Sequence, residues 1–259
     1  MYMDRLPILG HLMSSVILFA IVCTVAVCAP STPIKKSMEA KKILKWQKIG
    51  ESVDGRPIKS VTIGRGENIT LILGAFHGDE PLSADITYKL AEYLARNYND
   101  DQSVKVVVVP VVNPDGLAKK TRTNSNGVDI NRNFPTKNWS PKYRKKRYCP
   151  GPAPGSEPET LTIIDLIEKF HPRQIISIHE PLKMVNFDGP AEHLANKMAR
   201  LNGYPAKSDI GYATPGSFGT YMGKERNIPT ITLELGEKTL DESWVTNKSA
   251  LIEAIKYSK

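Results

Sequence analysis

Hydrophobic positions along residues 46–259 alternate between short apolar runs and longer amphipathic stretches. Apolar runs of about 4 to 8 residues are typical of buried strands, whereas apolar residues recurring every three or four positions are typical of helices. Together, the two kinds of pattern predict eight secondary-structure elements. The runs predict strands at 69–75, 104–112, 174–178 and 229–235, and the helical spacing predicts helices at 82–98, 159–170, 191–201 and 249–257.

Strands separated by helix-length segments predict a mainly parallel sheet with helices on both faces. The near-continuous valine run at 104–112 fits a strand buried on both sides, although Pro110 indicates an edge or a bulge near its end. Residues 117–158 lack periodicity and are rich in Pro, Gly and Asn, so we expect one long surface loop there. The pattern therefore predicts an α/β fold in a single domain, with a mixed, mainly parallel sheet. In such sheets a functional site is expected at the carboxyl ends of the strands.

An uncharged apolar run at residues 12–29 precedes this pattern. It is long for a signal-peptide core and barely long enough to cross a bilayer, so it predicts a signal peptide or an uncleaved membrane anchor, with a buried helix as the alternative. We therefore divide the chain into an apolar segment at 1–29, a basic linker at 30–45 and a functional domain at 46–259. Export would place the domain in the cell envelope, extracytoplasmic or membrane-anchored. The lysines that follow the run favour a membrane-anchored domain facing the cytoplasm instead.

Composition and charge narrow the class of protein. The chain is 41% hydrophobic and 24% charged, which excludes a disordered, collagen-like or multi-span membrane protein. Three cysteines, two of them in the apolar run, exclude a disulfide framework. The net charge of +8 is concentrated in two basic blocks, residues 35–48 and 117–148, and the rest of the chain is net acidic. Such blocks indicate an anionic partner, and the lack of a nucleic-acid recognition motif argues against DNA or RNA.

Potential metal ligands follow two of the predicted strands. His77 and Glu80 come after the first strand, and His179 follows another. Imidazole and carboxylate groups are ordinary Zn²⁺ ligands, and a catalytic zinc site uses three protein ligands with one open position. His-x-x-Glu alone also fits a surface histidine beside a helix-capping acid. These residues therefore predict a zinc site only if the fold brings all three together.

Other candidate groups lie in the loop segment and in the last predicted strand. Arg122, Asn131 and Arg132 fall within 117–158, and guanidinium groups suit carboxylates and oxyanions, although solvated loop charges fit equally well. Glu234 lies in an otherwise apolar strand, where a carboxylate must be paired or functional. Beside a metal-activated water it could act as a general base.

The candidate motifs occur in a specific order along the chain. That order is His77-x-x-Glu80, Asn113-Pro114-Asp115-Gly116, Arg122, Asn131-Arg132, His179, Tyr212 and Glu234. On the basis of this order, roughly residues 46–240 resemble the zinc carboxypeptidase family. The segments HGDEP, NPDG, GVDINRNFP, GPAPGSEPET and YATPGSFGTY are most similar to the branch of that family that cleaves murein peptides.

The resemblance implies roles for the metal ligands and for the catalytic groups. His77, Glu80 and His179 would hold one Zn²⁺ per chain. Glu234 would take the proton of the attacking water and pass it to the leaving amine, and Arg122 would stabilise the oxyanion. The domain at 46–259 would then be a zinc peptidase domain that works by promoted-water attack.

The resemblance also implies residues that bind the substrate. Asn131 and Arg132 would bind the terminal carboxylate, and Tyr212, 22 residues before Glu234, would be the mobile tyrosine of the family. Gly219 stands at the specificity position, where a small residue leaves room for a branched, zwitterionic side chain such as diaminopimelate. Glu237 is the alternative to Glu234 as the base.

The function implied is hydrolysis of the γ-D-glutamyl–meso-diaminopimelate amide of murein peptides. Alternatives are a general or D,L-specific metallocarboxypeptidase, an acylase of N-acyl amino acids, and an inactive membrane-tethered binder of anionic wall fragments. The partner would be a small anionic peptide and no nucleic acid, with membrane contact through the segment at 12–29. We expect a monomer or a weak dimer. The basic cluster at 144–147 would steer the substrate or be solvated.

Overall fold

An eight-stranded sheet is the framework of the protein, and the computed structural model describes it within residues 44–257. Its strands are β1 (Gln47–Glu51), β2 (Pro57–Gly64), β3 (Ile69–Leu73), β4 (Lys105–Val109), β5 (Gln174–His179), β6 (Met184–Asp188), β7 (Ala206–Lys207) and β8 (Thr230–Glu234). Their order across the sheet is β1-β2-β4-β3-β5-β8-β6-β7.

The four central strands are parallel, and antiparallel pairs flank them on both sides. β3 pairs in parallel with β4 and β5, and β5 pairs in parallel with β8. β2 runs antiparallel to β4, and β6 runs antiparallel to β8. The prediction of a mixed, mainly parallel sheet is therefore confirmed. Because β3, β5 and β8 share one direction, their carboxyl ends lie at the same edge.

Helices cover both faces of the sheet. They are α1 (Pro81–Asn97), α2 (Pro114–Lys119), α3 (Pro158–Phe170), α4 (Glu192–Asn202) and α5 (Leu240–Lys256). Helices α1, α4 and α5 pack against one set of buried strand side chains, and α3 packs against the alternating set. In β5, for example, Ile176 belongs to the first cluster and Ile175 to the second, as the two-residue period of a strand requires.

The last helix is longer than the sequence pattern predicts. Helix α5 begins at Leu240 and not at position 249, so the expected start is wrong. The Thr239 hydroxyl accepts a hydrogen bond from the backbone N–H of Glu242 and thereby caps the helix. The Thr-x-x-Glu spacing at 239–242 is the signature of a capping box, which is the local signal for this start.

The expectation that 117–158 is a surface loop throughout is also wrong. Ile130 and Phe134 are fully buried, and the Asn133 side-chain amide donates to the Pro150 carbonyl at 2.8 Å. Phe134 packs edge-on against Phe76, which follows β3. These anchors occur singly and not at a regular spacing, so they leave no periodic pattern to detect. They fix the segment against the sheet edge.

A π-helical turn, Thr220–Lys224, precedes β8 and packs against β6. Tyr221 and Met222 face the core, whereas Lys224 is exposed. A π turn holds one residue more than an α-helical turn, and such turns are frequent at functional sites. The turn contacts β6 at Asp188, which pairs with Thr230, the first residue of β8.

Predictions about the N-terminal region fall largely outside this description. The apolar run at 12–29 and nearly all of the basic linker at 30–45 lie outside the described residues, so their assignment and the domain boundaries stay predictions. Between residues 44 and 257, no helix has both the length and the apolar character that crossing a membrane requires. Cys149 is a free thiol.

Truncation of a central strand residue tests the importance of the parallel core. Ile176 in β5 is fully buried and pairs in register with Ile72 of β3 and Ile231 of β8. Ile176→Ala leaves a cavity and is expected to lower the free energy of unfolding by about 3 kcal/mol, measured by urea denaturation. Val245→Ala, at a position 81% exposed on α5, is the control and should stay within about 0.5 kcal/mol of the wild type. Equal stability of the two variants would contradict this packing.

Candidate active site

Three potential metal ligands converge at the carboxyl edge of the sheet. His77 and Glu80 lie between β3 and α1, and His179 is the last residue of β5. Their ligand atoms lie within 4.8 Å of one another, and all three residues are buried. His77 Nδ1 is 2.7 Å from Glu80 Oε1, and His179 Nδ1 is 3.0 Å from Glu80 Oε2. The fold thus brings together the three residues that the sequence suggested as ligands.

Close backbone packing fixes the turn that carries His77 and Glu80. A Cβ on Gly78 would overlap the backbone carbonyl of Gly116 in α2, so this position requires glycine. Asn113 caps α2 by accepting from the Gly116 N–H at 2.8 Å, and its amide donates to the Phe76 carbonyl at 3.3 Å. The NPDG motif is therefore structural: it holds α2 against the turn.

The donor set fits a zinc ion. Two imidazole nitrogens and one carboxylate are a known ligand set of catalytic zinc. His77, Glu80 and His179 all line one cleft of about 390 Å³, so a ligand in the cleft can reach the fourth position. The Nδ1 atoms of the two histidines lie 3.3 Å apart, and His77 Nε2 points away from them, towards Asp129 at 3.1 Å. A carboxylate behind a ligating histidine fixes its tautomer and ring orientation.

Asp129 is a site residue that the sequence analysis did not single out. Its fully buried carboxylate contacts His77 Nε2, accepts from Arg122 Nε at 2.9 Å, and accepts from the Asn131 backbone N–H at 3.0 Å. One signal was present in the sequence. Asp129 is the single acidic residue among ten basic ones in the block at 117–148, and an isolated acid in such surroundings indicates a specific partner.

The charges of the site favour a bound cation. Burial disfavours the imidazolium form of His77, but the carboxylates of Glu80 and Asp129 outweigh it and raise its pKa to about 9. Burial also opposes ionisation of Glu80 and Asp129. The neighbouring imidazoles, and Arg122 in the case of Asp129, nevertheless hold both pKa values well below their usual range. Two ionised carboxylates thus surround the imidazoles and attract positive charge to them.

Glu234 lies at the end of β8, in register with His179 of β5. It is 8% exposed, and burial raises its pKa. Among residues 44–257, its carboxylate accepts one hydrogen bond, a long one of 3.4 Å from the Leu182 N–H. A carboxylate with a raised pKa that faces a cleft suits a general base. Glu237 is instead bonded to the Tyr204 hydroxyl and, among the described residues, is not part of the cleft lining.

Basic side chains form another wall of the cleft. Arg122, Asn131 and Arg132 all line it, as the sequence suggested. The guanidinium groups of Arg122 and Arg132 lie over the ring of Tyr148, at 5.2 and 5.9 Å from its centroid. Asn131 Oδ1 accepts from the Phe218 N–H at 2.8 Å. Tyr148, which the sequence analysis did not consider, thus orients both arginines through cation–π contacts.

One residue of the basic cluster at 144–147 belongs to the cleft. Arg147 lines it, pairs with Asp79 at 3.0 Å and lies 5.7 Å from the centroid of the Tyr148 ring. Arg144 and Lys145 line a separate cavity beside it. The cluster is therefore divided between the cleft and its surroundings.

Tyr212 and Gly219 also line the cleft, and Gly219 marks an unexpected anionic end. Tyr212 is 51% exposed. A Cβ on Gly219 would overlap Oδ2 of Asp188, the last residue of β6. The Asp188 side chain is only 11% exposed, and burial raises its pKa although Lys224 opposes that effect. The space beside Gly219 is thus not simply vacant, as the sequence suggested, but is bounded by a carboxylate.

Comparison with known proteins agrees with this geometry. The zinc carboxypeptidase family matches residues 34–209. Murein peptide amidase A of Vibrio campbellii is 35% identical over 222 residues, which cover 80% of this chain and 86% of that protein. The Escherichia coli protein of the same name is 35% identical over 189 residues, or 67% and 73% of the two chains. The murein-tripeptide amidase structure from Escherichia coli O157 superposes with a TM-score of 0.72 at 30% identity, covering 85% and 95% of the chains.

Removal of the buried carboxylate behind His77 tests the site as a metal centre. Asp129→Asn should weaken zinc binding about 10- to 100-fold, because His77 loses the group that orients its ring. Competition with a chromophoric chelator measures the affinity. Asp165→Asn, at an exposed position on α3, is the matched control and should bind zinc like the wild type. Unchanged affinity in Asp129→Asn would show that His77 does not depend on this carboxylate.

Proposed function

The chain belongs to the zinc carboxypeptidase family, and we propose that it hydrolyses the γ-D-glutamyl–meso-diaminopimelate amide of murein peptides. The observation that carries this proposal is the set of charged groups that line the cleft. The metal-ligand trio, the guanidinium of Arg132 and the carboxylate of Asp188 all line the same space. A leaving residue with a free α-carboxylate and a side chain that ends in an ammonium group has a partner of opposite charge in Arg132 and in Asp188. The relatives named for murein peptides support the same substrate.

Zinc would be held by His77, Glu80 and His179. When bound, zinc supplies Lewis-acid polarisation of water and of the substrate carbonyl. Asp129 keeps the imidazole of His77 in the tautomer that leaves Nδ1 free to ligate. His179 is buried at the end of β5, and His77 and Glu80 are buried in a closely packed turn. The site is therefore formed before the substrate arrives.

Glu234 is the proton carrier of the reaction. Its carboxylate takes a proton as water adds to the amide carbonyl carbon, forming a C–O bond. It then delivers that proton to the amine nitrogen as the C–N bond breaks, so the products are a carboxylate and a free amine. The raised pKa of Glu234 favours both halves of this transfer, because a base is most effective when its pKa lies near the working pH.

Arg122, Asn131 and Arg132 position the substrate and stabilise charge. The guanidinium of Arg122, held by Asp129, donates to the oxyanion that develops on the carbonyl, a contribution of about 3 kcal/mol to lowering the barrier. Arg132 and Asn131 bind the α-carboxylate of the leaving residue. Tyr212, half exposed in the cleft lining, covers the bound peptide.

Asp188 binds the side chain of the leaving residue. A nearly buried carboxylate at the end of a substrate cleft attracts an ammonium group, since it gains a charged hydrogen bond with little further desolvation. Gly219 is required for this contact, because any side chain there would displace the carboxylate. This arrangement favours a basic or zwitterionic leaving residue over the apolar ones that a general carboxypeptidase would accept.

Replacement of the proposed base tests the chemistry. Glu234→Gln should lower kcat for γ-D-glutamyl–meso-diaminopimelate at least about a hundredfold, since an amide cannot carry the proton. Mass-spectrometric detection of released diaminopimelate measures the rate, and metal analysis checks that zinc is retained. Glu237→Gln is the matched control and should remain active. Loss of activity in the Glu237 variant alone would show that Glu237, and not Glu234, is the base.

Neutralising Asp188 tests the recognition of the side chain. Asp188→Asn should lower kcat/KM for γ-D-glutamyl-L-lysine by about 10- to 100-fold, because the ammonium group loses its charged partner. With γ-D-glutamyl-L-norleucine, which has no ammonium group, the same variant should be no worse than the wild type. An equal loss on both substrates would mean that Asp188 is structural only.

A further inference from the structure

Lys224 lies where its ammonium group could contact a second group on the side chain of the leaving residue. Its Nζ lies 3.2 Å from Oδ1 of Asp188, while Oδ2 of the same carboxylate lies beside Gly219. The side chain of Lys224 is 58% exposed, so its ammonium group is accessible from solvent. Opposite charges therefore lie side by side at the end of the cleft, with the negative one nearer to Gly219.

A second cavity adjoins the cleft at Asp188. It has a volume of about 470 Å³ and is lined by Lys224. The residues that line both spaces are Asn186, Asp188, Ile210, Tyr212 and Thr214. A side chain that passes Gly219 and reaches Asp188 therefore enters a space bounded by the lysine. This continuity makes the ammonium group of Lys224 part of the same binding surface.

The charges of the adjoining cavity distinguish the groups that could occupy it. Two carboxylates, Asp188 and Asp209, line the cavity, and Lys224 is the one cation among the described residues of its lining. The Asp209 carboxylate accepts a hydrogen bond from the Gly211 N–H at 2.7 Å. A side chain that ends in both an ammonium group and a carboxylate would place its ammonium group beside Asp188, and Lys224 would then be the partner of opposite charge for its carboxylate.

We propose that Asp188 and Lys224 together form a receptor for a side chain that ends in an ammonium group and a carboxylate, in which Lys224 selects the carboxylate. This rests on the proposed function, because it concerns the leaving residue of the same hydrolysis. It adds a specificity residue that separates diaminopimelate from lysine, which carries the ammonium group but not the distal carboxylate.

The backbone packs closely around the ion pair of Asp188 and Lys224. Gly219 and Gly223 flank Asp188, and a Cβ on either would overlap its side chain. The π turn that contains Gly223 lets the chain approach β6 closely and ends at Lys224. The close approach and the ion pair fix the lysine beside the carboxylate.

Two substrates that differ in one carboxylate test the proposal. We would measure kcat/KM for γ-D-glutamyl–meso-diaminopimelate and γ-D-glutamyl-L-lysine with the zinc-loaded full chain and its Lys224→Met variant. The ratio of the first value to the second should fall about tenfold in the variant, because the carboxylate loses a charged partner. Lys224→Arg should restore most of the ratio. Lys59→Met, which alters an exposed lysine on β2, is the control and should leave the ratio unchanged.

The outcomes separate this inference from the proposed function. If the wild type cleaves both substrates and Lys224→Met has the wild-type ratio, Lys224 does not select the carboxylate and the inference is wrong, while the proposed function stands. If kcat/KM falls by the same factor for both substrates in Lys224→Met, Lys224 acts only by holding Asp188, and the inference is again wrong. If the wild type cleaves neither γ-glutamyl substrate, the proposed function is wrong and the receptor assignment is wrong with it.

Discussion

The ionised carboxylate of Asp129 is the interaction on which the rest of the site depends. Without access to solvent, it is stable only because His77, Arg122 and the Asn131 backbone all surround it. Each of these partners belongs to a different part of the cleft: the ligand trio, the proposed oxyanion group and the wall proposed to bind the terminal carboxylate. One buried charge therefore holds three groups in place. Loss of any one of these contacts would leave the carboxylate partly unpaired and would weaken the positions of the other two groups.

Two residues of the chemical centre lie on strands of the sheet, whereas other cleft residues lie on the segments that connect the strands. His179 and Glu234 are paired residues on adjacent parallel strands, and a shift of one residue in that pairing would turn one of them to the opposite face. The chemical centre is therefore as fixed as the core itself. The residues proposed to contact the rest of the substrate, such as Arg132 and Tyr212, lie on connecting segments, where sequence can change without disturbing the strands.

Much of the fold and the metal centre could be predicted, because local patterns encode them. The apolar runs of β3 and β5 and the helical spacing of α1 are continuous along the chain, and His77, Glu80 and His179 follow strand ends. Strands β1, β2, β6 and β7 were missed because they are short or partly exposed at the margins of the sheet. Asp129 had one sequence signal, its isolation among basic residues, and that signal did not name its partner. The roles of Asp129 and Asp188 arise from contacts with residues distant in sequence, His77 and Gly219. Such contacts have no local signature.

The extra residue in the π turn links the proposed selectivity of Lys224 to the number of residues in that turn. Removing one residue from Thr220–Lys224 would restore the ordinary helical repeat and rotate the following side chain by about 100° around the helix axis. Lys224 would then point away from β6, while the ligand trio on the central strands kept its geometry. A single-codon deletion would thus remove the contact on which the proposed selectivity depends and leave the ligand trio in place.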